Sequence, residues 1–162
     1  MSDILGQQFI DGQRSALGHE TLHSFDATTG QALPYVFHQA NEQEVALAVA
    51  AATRAFAPFR QLPPLRRAEF LNAIADEIDA LNDDFITLVC QETALPEGRI
   101  RGERSRTTGQ LRLFSQVLSR GDYLRARIDQ ALPDRKPLPR PDIRQYRIGV
   151  GPVAVFGASN FP

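Results

Sequence analysis

Asn160 stands four residues beyond the apolar run Pro152-Val153-Ala154-Val155-Phe156. A continuous apolar run of this length suits a strand buried on both faces. Open α/β sheets place ligand and catalytic groups at the carboxyl ends of such strands. An asparagine amide there can donate a hydrogen bond to a developing oxyanion. Asparagine is also a common turn residue, so position alone leaves both readings open.

Other constellations fail on their context. His19-Glu20-Thr21-Leu22-His23 has the H-E-x-x-H spacing that puts two imidazoles on one helix face around zinc. Gly18 precedes it, a turn-forming run follows and no helical apolar stripe surrounds it, so no metal site is expected. Gly149-Val150-Gly151-Pro152-Val153-Ala154 matches a loose G-x-G-x-x-A, but here the glycines precede a strand and Pro152 removes an amide. Gly157-Ala158-Ser159-Asn160-Phe161 begins like a nucleophile elbow, yet Phe161 replaces the second glycine and no histidine follows. Cys90 sits mid-helix without a neighbouring histidine, which favours packing over thiolate chemistry. The arginines of 99–106 have no interleaved aromatic residues, so charge pairing along a helix is expected rather than nucleic-acid binding.

The positioning elements follow from local signals. Asp11-Gly12 between strand-like residues predicts a hairpin, and Asp26 to Gly30 predicts the turn of a second, with strands 22–25 and 33–37. Asn41 followed by Glu44 predicts a capped helix with Val45, Val49, Ala52 and Phe56 on its inner face, ended by Pro58. Pro63-Pro64 opens a second helix with Leu71, Ile74, Ile78 and Leu81 inward, and a third starts near Asp83 around Phe85, Leu88 and Val89. A fourth runs from Pro96 to Gly121 with Ile100, Thr107, Leu111, Phe114 and Leu118 as its stripe. Residues 123–129 and 143–150 alternate as strands around a proline-rich connector, predicting a protruding ribbon whose open edges seek another sheet or subunit.

The chain has 162 residues, 43% hydrophobic and 23% charged, with net charge −1, as in a soluble globular domain. That balance hides a split: residues 1–98 hold 5 basic against 14 acidic side chains, and residues 99–162 hold 13 against 5. Residues 1–12 lack a basic patch followed by an apolar run, and no apolar stretch nears the roughly 20 residues of a membrane span. One cysteine excludes an internal disulfide and fits a reducing compartment, so a cytoplasmic location without membrane association is expected.

The run Ile148 to Pro162, ending Gly157-Ala158-Ser159-Asn160-Phe161-Pro162, resembles the strand that leads to the Asn-Phe-Pro signature of the aldehyde dehydrogenase superfamily. Phe9 to Gly12 is similar to that family's opening hairpin, and Asp26 to Gly30 to its Asn-Pro-x-Thr-Gly turn, with Asp and Ala in place of Asn and Pro. Residues 45–56 resemble its alanine-rich first helix, and 123–149 the ribbon that builds its oligomer. Pro96 to Arg104 and Thr108 to Phe114 resemble the bacterial branch acting on α-ketoglutaric (2,5-dioxovalerate) semialdehyde, which is related to NADP-dependent fatty aldehyde dehydrogenases.

The resemblance implies an α/β fold: helices packed on a Rossmann-like parallel sheet, plus the ribbon. It divides the chain into the front of a cofactor domain (1–122), the oligomerisation ribbon (123–149) and the first sheet strand (150–162). It implies an aldehyde substrate, NADP or NAD as cofactor and a homo-oligomer. Asn160 would hold the oxyanion of a cysteine thiohemiacetal, and Phe156, Gly157, Ala158 and Ser159 would line the cofactor cleft, Ser159 replacing a usual tryptophan. The nucleophilic cysteine and general-base glutamate lie downstream in that family, so these 162 residues alone are expected to be catalytically silent. A non-catalytic assembly protein and a nucleic-acid module using the basic third are the alternatives.

Overall fold

Asp11 and Gly12 both take positive φ, 53° and 76°. This is the backbone that a two-residue turn needs to match strand twist, and it joins β1 (Gln8–Ile10) to β2 (Gln13–Ser15). The computed structural model describes residues 4–158. A second hairpin pairs β3 (Thr21–Phe25) with β4 (Ala32–His38), Thr21 opposite His38, with a register shift between His23 and Phe25. Its turn is held by Asp26, whose Oδ1 accepts from the amides of Thr28 at 2.8 Å and Thr29 at 2.9 Å. The His19–His23 segment thus lies at and within a strand rather than on a helix face.

Helix α1 (Glu42–Gln61) starts with a full capping box: Asn41 accepts from the Glu44 amide, and the Glu44 carboxylate accepts from the Asn41 amide at 3.1 Å. It runs through Pro58 and stops where Leu62, extended at ψ 140° before Pro63, leaves the helix. One proline removes a single donor, whereas the residue before a proline is driven out of helical geometry altogether. The inward residues also differ from expectation. Val45 and Val49 are exposed, while Glu44 and Ala51 are buried. Every residue from Val45 to Ala52 is apolar, so the helical spacing of Val45, Val49, Ala52 and Phe56 does not single out the buried face.

The packing centre is the pair α2 (Pro64–Asp79) and α4 (Glu97–Arg120). Apart from Ile100 near the start of α4, the buried residues of the two helices are small: Ala68 and Ala75 on α2, Thr108 and Ser115 on α4. The helices are antiparallel, for Arg67 near the start of α2 donates to the Tyr123 hydroxyl just past α4, while Arg104 early in α4 donates to the Leu81 carbonyl beyond α2. Small residues let two helix backbones approach closely, which turns the bulkier Phe114 outward and makes Thr108 rather than Thr107 the inner position. Ala75→Leu has no room and is expected to cost about 1–3 kcal/mol, read as a lower denaturation midpoint.

Helix α3 (Asp83–Thr93) buries Ile86 and receives the second hairpin through an Ala27 amide to Gln91 carbonyl bond of 2.8 Å. The α4 arginines clamp the other helices. Arg101 pairs with Asp83 and Glu97, both at 2.7 Å, and Arg112 with Asp76 at 2.7 Å and Asp79 at 2.8 Å. Helix pairing therefore accounts for this part of the basic cluster.

The ribbon is shorter than expected, with β5 (Arg127–Asp129) antiparallel to β6 (Ile143–Gln145). Gly121 and Arg125 are left-handed and residues 122–124 form one 3-10 turn, which removes Tyr123 and Leu124 from the strand. Every ladder among the described residues is antiparallel and two-stranded. The run 152–156 has no ladder partner among them and stands exposed, Val155 at 87% and Phe156 at 92%.

Candidate functional site

The segment expected to carry chemistry is fixed at its base. The Arg147 amide donates to the Leu124 carbonyl at 2.9 Å, tying the chain to the end of α4. Gly149 lies on the Phe56 ring of α1, where an added Cβ would be 3.4 Å from the ring edge. Beyond this anchor the chain carries Phe156, Gly157 and Ala158 outward, all three exposed. Ser159 and Asn160 lie outside the described residues. The glycines of 149–151 open no helix, so the dinucleotide-like spacing there forms no phosphate-binding turn. Phe156, Gly157 and Ala158 offer backbone and apolar surface but no charged or polar side chain. By themselves they do not build a cradle for a dinucleotide.

Two features had little or no signature in the sequence. Glu44 reads as a cap, yet it is fully buried and does more. Its Oε1 accepts from the Ser15 hydroxyl and from the Leu17 amide at 3.0 Å, and Oε2 holds the Asn41 amide. One carboxylate thereby joins the end of the first hairpin to the start of α1. The Ser15 hydroxyl, then the Leu17 amide, hold its carboxyl below its ordinary value of 4.5, against the opposing effect of burial. Because the folded value is depressed, Glu44 supports the fold above about pH 4.5, and this support fades as pH falls through the lower folded value. Glu44→Gln is expected to flatten that limb of an acid-unfolding curve and to lower stability at neutral pH, where the new amide group faces donors. The second feature is a cleft lined by Arg60, Arg67 and Arg147, residues distant in sequence.

Among the described residues no cluster of three or more His, Cys, Asp or Glu side chains could hold a metal, and no helix is long and apolar enough to cross a membrane. Cys90, the chain's one cysteine, lies half-buried in α3.

Residues 15–162 match the aldehyde dehydrogenase family. The chain belongs to that family. It is 53% identical over all 162 residues to the alpha-ketoglutaric semialdehyde dehydrogenase of Acinetobacter baylyi, covering 31% of that protein. It is 47% identical over 160 residues, 98% of its length, to alpha-ketoglutaric semialdehyde dehydrogenase 2 of Azospirillum brasilense, covering 30%. The chain therefore spans about three tenths of the curated relatives it matches. Among solved structures, succinate-semialdehyde dehydrogenase of Burkholderia pseudomallei superimposes with a TM-score of 0.70 at 25% identity, over 83% of this chain and 28% of that one. A benzaldehyde dehydrogenase of Corynebacterium glutamicum gives 0.71 over 84% and 28% at 14% identity, a likeness of fold alone. The fold is thus the front part of the α/β aldehyde dehydrogenase architecture.

Proposed function

We propose that the whole protein oxidises an aldehyde, α-ketoglutaric semialdehyde in the first instance, to a carboxylate with NADP or NAD as hydride acceptor. The observation that carries this reading is the 53% identity along the entire chain to a relative of that name. Asn160, four residues beyond the apolar run 152–156, donates its amide hydrogen to the oxyanion formed when a cysteine elsewhere in the protein adds to the aldehyde. Cys90 has no part in this, being held within α3. In the whole protein the apolar run 152–156 pairs within the sheet that receives the cofactor. It has no ladder partner among the described residues, and its exposed apolar side chains are what a strand of such a sheet buries.

Residues 123–149 join copies of the protein. The ribbon has two open edges and exposed Ile128 and Ile143, features that support an assembly role. The test is reduction of each nucleotide by the naturally expressed protein, offered α-ketoglutaric semialdehyde, succinate semialdehyde and benzaldehyde in turn. The highest kcat/KM is expected for the first. Absence of aldehyde-dependent nucleotide reduction would overturn the reading.

A further inference from the structure

Most arginines in this structure face a carboxylate. Arg54, Arg66, Arg99, Arg101, Arg106, Arg112, Arg120, Arg127 and Arg144 all form ion pairs. Arg14, Arg104, Arg125, Arg135 and Arg140 form none among the described residues, nor do Arg60, Arg67 and Arg147, but these last three line one cleft of about 530 Å³ at the root of the ribbon. No acidic residue lines it. The other walls include Tyr123, Tyr146 and Leu118, aromatic and apolar surface beside the cations.

Arg60, in the last turn of α1, has a structural explanation in the negative end of the helix dipole. The other two do not. Arg67 lies in the second turn of α2, near the positive end, and Arg147 lies on irregular chain beyond β6. The guanidinium of Arg67 donates to the Tyr123 hydroxyl at 2.7 Å, and its Nε–H is buried with no acceptor. A buried cationic donor without an acceptor is costly unless something supplies negative charge. The site is also held in place. Arg60 stacks 5.5 Å over the Phe56 ring, which itself carries Gly149, and Arg67 lies 5.8 Å over the Tyr123 ring.

We infer that this cleft binds a small phosphate monoester bearing an aromatic body, its oxyanion set among the three guanidiniums and its ring against the tyrosines and Leu118. Guanidinium favours planar, multidentate recognition of such oxygens. The inference does not depend on the aldehyde chemistry, because binding is read directly.

The test is calorimetric titration of the naturally expressed protein with phenyl phosphate in phosphate-free buffer. Saturable binding is expected, with inorganic phosphate weaker by about tenfold for loss of the ring, and phenol not binding. The double variant Arg60→Gln/Arg147→Gln changes two exposed side chains, and is expected to weaken phenyl phosphate by at least about tenfold. Rising salt should weaken it further. Absence of saturable binding by the parent, undiminished affinity in a folded double variant, or equal binding of phenol would each overturn the inference.

Discussion

Asn160→Ala in the whole protein is expected to lower turnover by roughly 10²–10³-fold, the usual consequence of losing one preorganised oxyanion donor. The argument is one of charge development. The aldehyde oxygen is neutral when it arrives and anionic after addition, so a fixed amide hydrogen stabilises the second state far more than the first. The loss should therefore fall on kcat, with nucleotide affinity close to the parent's. Single-turnover rates at saturating aldehyde separate this from a defect in product release. Asn160→Gln, which keeps the carboxamide but displaces it along a longer side chain, is expected to recover little, because the donor must meet the oxyanion at hydrogen-bond distance. Turnover within about threefold of the parent in Asn160→Ala, under conditions where chemistry limits the rate, would remove Asn160 from this role.

Much of the architecture was legible because its signals are local. Asp11-Gly12, Asn41 with Glu44, Pro63-Pro64 and Gly121 each fix a turn, a cap, a helix start or a helix stop through backbone constraints acting over a few residues. Which helix face points inward was less legible. On α4 the expected stripe holds at Ile100, which is buried, but fails at Thr107 and Phe114, for Ala68 and Ala75 on α2 accept only small partners, and Thr108 and Ser115 took the interface. That choice depends on both helices at once, and no window along one of them contains it. The arginine cleft was illegible for the same reason. Arg60, Arg67 and Arg147 share a surface only after α1, α2 and the ribbon root are folded together. The Asn160 reading rests instead on a run of residue types, which is why it could be made without a fold and why turnover has to decide it.

Gly18→Ala is expected to be the most destabilising single-methyl change in the described residues away from positive-φ sites. A Cβ at residue 18 would sit 1.9 Å from the Gln39 carbonyl oxygen and 3.1 Å from its carbon, so backbone must move. Neither side can do so freely. The Gln39 amide donates to the Glu20 carbonyl at 2.9 Å, and Asn41, two residues on, caps α1. On the other side the Leu17 amide is bound by Glu44, which also grips Ser15 and Asn41. Movement of either strand of chain thus strips donors from a buried carboxylate, adding to the ordinary penalty of overpacking. The expected loss is at least about 3 kcal/mol, the upper part of the overpacking range. Gly102→Ala provides the opposite sign. Gly102 lies inside α4 with open space where its Cβ would stand, so alanine should stabilise by roughly 0.5–1 kcal/mol. Denaturant midpoints of the two variants, measured side by side, test the contrast. A Gly18→Ala protein within about 1 kcal/mol of the parent would mean that the join around Glu44 yields far more easily than its packing indicates.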